Sequence, residues 1–378
     1  MGHANSGFHG SLFKLTIEPD SRNPDRHAIY LGQGGLGSMG RSAYLAPDAL
    51  ALRENYRHYV ALLLVLAGWD DAEAVATEVM AFETSVAAAS WAAADQRDES
   101  KVYNPRRVSQ LVRDAPGFSW HDYLSAARLT GARRIVVVER SAIPALAALY
   151  SKTSLPVLKA WAAFHLIDNA APLLSRAFTN AWFDLHGRQL QGAQIPAPRW
   201  ERALAQVSGT VSKDLDLSRG AMGDAVGRLY VNRWFEPRAR DTLTDLVANL
   251  KATLRARISA SDWMSAPAKV EALKKVDAYK VQIGAPAHGD KYDGLVIRRD
   301  DLFGDVERDG VRLGTTTPTI GPCHRPGTLD HDAANGKCIQ LRAVQRRGIH
   351  GRAASASRFR TDSGCRSYLW RDRCHHRP

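Results

Sequence analysis

Between residues 237 and 258 the large aliphatics fall along one line of a helix. Leu243, Leu246, Val247, Leu250, Leu254 and Ile258 recur at helical spacing, with Arg and Lys on the opposite face. A sheet cannot use that period, because strand side chains alternate every second residue. Pro237 stands where a first turn tolerates a missing N–H. A second helix is expected from Ser265, whose hydroxyl can cap exposed N–H groups, with Pro267 in its first turn. Its core face would be Val270, Leu273 and Val276. Residues 279–283 then alternate like a short strand. Two packed helices and a strand are therefore expected over residues 221–283.

The rest of the chain is read in order. Residues 1–29 are rich in Gly, Pro and Asp and are expected to be loop, and residues 27–31 a short strand. Gly32, Gly34 and Gly37 satisfy the spacing G-x-G-x-x-G. That spacing can place backbone N–H groups against a pyrophosphate at a helix start. No helix is expected directly after Gly37 and no repeating βαβ pattern follows, so the run reads as a tight turn needing positive φ. Residues 48–66 read as a helix with Leu52, Tyr56, Tyr59, Leu63 and Leu66 on one face, ending at Gly68. Residues 71–94 read as another, capped by Asp70 and Asp71, with Val75, Val79, Phe82 and Val86 as its stripe. Asp95, Arg97, Asp98 and Lys101 can be read as a charged site, or as a solvated helix end with local ion pairs.

Further on, residues 118–124 read as a short helix and residues 134–138 as a strand. Helices are expected over 141–149, 155–174 and 200–207, and from Lys213 into the opening block. Phe178, Trp182 and Phe183 read as core aromatics. His165 and Asp168 share a helix face at a spacing that permits metal binding. No third ligand is evident, so a partly buried histidine with its own partner is the expectation.

The wording of several segments adds to this. MGDAVGRLYVNRWF, LVANLKATLRARI and DWMSAPAKVEALKKV, with YLGQGGLG and SWAAADQRDESKVYNP upstream, resemble the zinc metalloendopeptidases of the neprilysin and endothelin-converting-enzyme family, especially bacterial members. The resemblance covers roughly residues 10–305. It implies a mainly helical, two-lobed shell around a cavity, peptide-bond hydrolysis of small peptides, and zinc. It also implies export or membrane anchoring, which leaves the compartment of this chain unknown. Residues 1–14 lack the basic start, apolar middle and cleavage site of a signal peptide, so the chain is expected either to start inside a longer protein or to have a misassigned start. No apolar run approaches the roughly 20 residues of a membrane span.

A peptidase of that family needs a helix carrying His-Glu-x-x-His, in which two His hold zinc and the Glu serves as general base. No His-Glu pair occurs in the sequence, and the family's substrate-clamping Asn-Ala-Tyr is absent too. The last 64 residues, 315–378, carry 12 Lys and Arg against four Asp, which is most of the net charge of +12. All four cysteines, Cys323, Cys338, Cys365 and Cys374, also lie there. Large aliphatics become rare and no period holds, as in out-of-frame translation. Shifting the frame by one nucleotide, the codons from Asp332 to Leu341 permit Thr-Pro-Gln-Thr-Val-Asn-Ala-Tyr-Asn. Those from Leu369 to His376 permit Tyr-Gly-Ala-Ile-Gly-Ala-Ile, and Pro378 with a following stop permits His-Glu.

Two readings of the tail follow. In one, it is a frameshifted end to a truncated peptidase. In the other, it is a genuine basic tail that binds nucleic acid or an acidic surface, where Cys365, Cys374, His375 and His376 would be a candidate metal site. The first is the expectation carried forward. It gives a mainly α chain with few short strands: a helical lobe over residues 1–305 and a disordered tail over 306–378. No catalytic, cofactor-binding or metal residue is assigned. The family's zinc is not expected in this chain, nor is nucleic acid a partner.

Overall fold

The computed structural model describes residues 8, 10–211, 217, 218, 220–279, 281–284, 292–316, 339 and 340. Contacts divide the chain into two units. One is Met1–Pro198 with Lys291–Arg325, the other Arg199–Asp290 with Pro326–Pro378.

The first unit opens on a hairpin, not a loop. Strand β1 (Phe13–Asp20) pairs antiparallel with β2 (Asn23–Gln33). Phe13, Leu15 and Ile17 alternate with Lys14, Thr16 and Glu18, the period of a strand with one covered face. That short alternation is masked by the Gly, Pro and Asp around it. Asp20 makes the turn by accepting the backbone N–H groups of Arg22 and Asn23. Next, β3 (Asn104–Arg107) and β4 (Arg134–Val137) complete a sheet of order β1-β2-β4-β3, in which β2 and β4 run parallel. Phe13 sits fully buried, its ring 4.7 Å from those of Phe118 and Trp120.

Helices cover this sheet. They are α1 (Arg41–Leu45), α2 (Leu50–Leu66), α3 (Ala72–Ala89), α4 (Ala93–Gln96), α5 (Val108–Asp114), α6 (Trp120–Ala126), α7 (Ala142–Lys152), α8 (Leu155–Ala170) and α9 (Arg176–Trp182). The stripes expected on α2 and α3 point inward: Tyr56, Tyr59, Leu63, Val79, Phe82 and Val86 are all buried. They meet Trp161 and Phe164 of α8, both fully buried. Each such side chain contributes about 1.5–3 kcal/mol by leaving water. Gly68, at φ +78°, ends α2 as expected, in the left-handed region that suits a residue without Cβ. The expected cap on α3 is corrected: Asp71 itself is left-handed (φ 51°) and caps nothing through its side chain. Phe178, Trp182 and Phe183 are only partly buried, since α9 runs on into a π-helix, Phe183–Gln189, near the surface.

In the second unit, α10 (Arg199–Ser208) leads to β5 (Thr210–Val211), paired antiparallel with β6 (Leu217–Ser218). The next described helix is α11 (Gly223–Trp234); helix was expected from Lys213, and residues 212–216 and 219 lie outside the described residues, while Leu217 and Ser218 are strand. Then come α12 (Pro237–Ala260) and α13 (Ala266–Asp277), packed together as expected. Pro237 opens α12, and the Ser265 hydroxyl accepts the N–H of Ala268. The apolar stripe of α12 is half covered: Val247 is buried, but Leu246, Leu250 and Leu254 are exposed. Strand β7 (Val281–Gln282) is shorter than expected and pairs parallel with β8 (Ile339–Gln340).

The last described helix, α14 (Leu302–Thr316), belongs to the first unit. The expected boundary at residue 305 falls inside it. Of the expected tail, only β8 is described beyond α14, and Cys323, Cys338, Cys365, Cys374, His375 and His376 lie outside the described residues. No described helix is long and apolar enough to cross a membrane.

Candidate functional site

The strongest concentration of chemically capable side chains lies inside the first unit, where α2, α3, α8 and the π-helix meet the glycine segment. Glu83 of α3 is fully buried. Its carboxylate accepts the Tyr44 hydroxyl (2.9 Å) and faces Nε2 of His165 at 2.8 Å. A carboxylate only accepts, so the ring proton of His165 sits on Nε2. One turn further along α8, Asp168 repeats the pattern. Its Oδ1 accepts the Tyr59 hydroxyl (2.5 Å) and lies 2.9 Å from Nε2 of His186. Both histidines are also packed by rings: His165 edge-on to Trp161, His186 stacked on Trp182 at 4.6 Å.

His165 and Asp168 are thus brought close, as their spacing required, but each serves a different partner. The histidine is buried and satisfied, as expected. Missed at the level of sequence were Tyr44, Glu83 and His186. A signal existed for one of them: Glu83 stands between Phe82 and Val86 on the apolar face of α3, where an ionisable group needs a buried partner.

Ser38, His186 and Asp168 invite comparison with a hydrolytic triad. Their geometry excludes it. Ser38 Oγ (3.1 Å) and Asp168 Oδ1 (2.9 Å) approach the same nitrogen, Nε2. A triad needs the carboxylate on one ring nitrogen and the nucleophile on the other. Here serine and carboxylate share one ring nitrogen, so no relay runs from Asp168 through the ring to the serine hydroxyl.

Burial first, then the charge of Glu83, pushes the Tyr44 hydroxyl far above its usual range. Tyr56 rises for the same reasons, and Tyr59 by burial and Asp168. On the sheet, Tyr103 is pushed up to about 12 by burial and its hydrogen bond to Asp20. Burial also raises Asp20, but Tyr103, the N–H groups of Arg22 and Asn23, and Arg26 outweigh it and hold the carboxyl below its usual value.

The glycine segment is part of the same core. Gly34 donates its N–H to Leu12 O (2.9 Å) and Gly37 to the Tyr44 hydroxyl (3.2 Å). Amides that a pyrophosphate would need are already used. Within this segment only Gly35 has positive φ (+86°), so the positive-φ turn falls on a neighbour of the three motif glycines rather than on them. Gly37 is required by close approach instead: a Cβ there would stand 1.9 Å from the Tyr56 hydroxyl. Asp95, Asp98 and Lys101 form exposed local ion pairs at 3.1 and 3.5 Å, a solvated helix end.

Among the described residues no three His, Cys, Asp or Glu side chains converge as a metal site. The donor set there does not fit a zinc ion, which takes at least three such ligands.

Known proteins resemble this chain along most of its length. The family model described as "Peptidase family M13" matches residues 1–286. An endothelin-converting enzyme homolog of Locusta migratoria is 24% identical over 357 residues, covering 84% of this chain and 47% of that protein. Endothelin-converting enzyme-like 1 of Rattus norvegicus is 27% identical, covering 73% and 35%. Among solved structures, the Mycobacterium tuberculosis zinc metalloprotease Zmp1 in complex with an inhibitor superposes with a TM-score of 0.73 at 30% identity, over 83% of this chain and 46% of that one. The chain spans between about a third and a half of the length of these relatives.

Proposed function

The chain belongs to peptidase family M13, and we propose that its residues 1–305 are the non-catalytic helical region of a zinc metalloendopeptidase, a region that by itself cleaves no peptide. The observation that carries this reading is the donor set. The family model matches residues 1–286, and the described residues offer no three-ligand metal group. The sequence holds no His-Glu pair from which the metal helix of a zincin is built. In the cluster of Ser38, His186 and Asp168 the serine and the carboxylate meet the same ring nitrogen, which is not the arrangement of a hydrolytic triad.

The substrates of the parent enzyme are small peptides in this reading, and residues 306–378 are an out-of-frame tail. The positive charge is concentrated in that tail, so in this reading it is not the footprint of a nucleic-acid site. A quenched fluorogenic peptide incubated with this chain and added Zn²⁺ tests the proposal. No chelator-sensitive turnover is expected above buffer. Turnover that a chelator abolishes, and that follows the protein through purification, would overturn it.

A further inference from the structure

Phe8 and Glu307 of α14 are 299 residues apart in sequence, yet two contacts join residue 8 to that helix. Phe8 is buried, and its ring stacks on Phe303 of α14 at 4.7 Å and 27°. The Phe8 N–H donates to Oε1 of Glu307 (3.1 Å). On its other side the Phe8 carbonyl accepts Nδ2 of Asn169 from α8 (2.8 Å). Gly10 follows, pressed so closely on His165 that a Cβ would stand 2.6 Å from the His165 Cβ. Residue 8 therefore bridges α8, which carries the buried carboxylate network, and α14.

α14 is otherwise organised by its own neighbourhood. Asp301 caps it by accepting the Gly304 N–H (2.9 Å). Arg308 pairs with Asp301 (2.9 Å) and Asp305, and donates through Nε to Val296 O (2.9 Å). Asp305 also accepts the Arg298 N–H at 2.8 Å. These contacts shape the helix start, and Asp309 further along it is buried. Phe303 and Leu302 remain considerably exposed.

We propose that Phe8 is a clasp that fastens α14 to α8, so that α14 opens as a local unit when the Phe8 contacts break. Local openings of this kind need less free energy than global unfolding and follow elements with few buried contacts. A helix of 15 residues is marginal by itself in water. Undocking therefore exposes its amides even though its local caps persist. The relation is reciprocal: loss of α14's side of the contact frees the clasp to the same degree.

Hydrogen–deuterium exchange on the full chain tests this. In Phe8→Ala, exchange across residues 302–316 is expected to rise by at least about tenfold, while α2, α3 and α8 keep their protection. In Phe303→Ala the peptide containing Phe8 and Gly10 is expected to lose protection to a similar degree. The double variant is expected to show less than the product of the two effects, since both remove one contact. Unchanged exchange over 302–316 in Phe8→Ala overturns the proposal. So does a uniform rise over the whole first unit, because Phe8 would then be part of the global core. Multiplicative single effects in the double variant would also overturn it.

Discussion

Glu83→Ala is expected to destabilise the first unit by about 3–5 kcal/mol, the range found when one partner of a buried charge pair is removed. The carboxylate is fully buried and is the acceptor for both Tyr44 and His165. Its loss leaves a hydroxyl and a ring N–H in the core with no acceptor, each costing about 1–3 kcal/mol in desolvation, and removes packing besides. Glu83→Gln is expected to cost less, because the amide oxygen still accepts from one partner while its NH₂ opposes the other. Denaturant unfolding measures both. As a control, Lys101→Ala breaks only exposed pairs with Asp95 and Asp98 and is expected to stay within about 0.5 kcal/mol. A Glu83→Ala protein within about 1 kcal/mol of the unchanged chain would mean that this network does not hold the core.

Alkali is expected to unfold the first unit abruptly. Tyr44, Tyr56 and Tyr59 all have hydroxyls held neutral by burial and by neighbouring Glu83 or Asp168. In the unfolded chain each ionises near pH 10. The sign follows from linkage. The folded state keeps protons that the unfolded state has released, so the stabilisation is complete below about pH 10 and declines as pH rises. Each withheld proton costs about 1.4 kcal/mol per pH unit beyond that point. Three together exhaust an ordinary stability of about 5–15 kcal/mol within one to a few pH units. Tyrosinate absorbance should therefore rise in two phases. Exposed tyrosines titrate first and reversibly, and the buried group appears only with loss of helical circular dichroism. A single smooth titration of all 11 tyrosines with structure retained would contradict the burial described here.

What could be read from the sequence was what one helix face records. The stripes of α2, α3 and α12 state their period in adjacent turns, and Ser265 and Pro267 announce the start of α13. Strand β1 was hidden because three alternating apolar residues are few against a background of Gly, Pro and Asp, whereas residues 27–31, expected as a strand, lie within β2. Half of the buried network was equally hidden. His165 and Asp168 stood out at their spacing, but their partners lie far away in sequence: Glu83 is 82 residues from His165, and Tyr59 is 109 from Asp168. Only packing brings them together. The glycine motif shows the opposite failure, since its spacing matches a phosphate loop while its amides are spent on Leu12 and Tyr44.

Zinc stoichiometry bears most directly on the claim that this chain is peptidase scaffold without peptidase chemistry. The purified full chain, equilibrated with Zn²⁺ and passed through a desalting column, is analysed for metal by atomic emission. Well under one equivalent per chain is expected, with no dependence on prior chelation. One tightly retained equivalent, removed by chelator and restored by zinc, would contradict it.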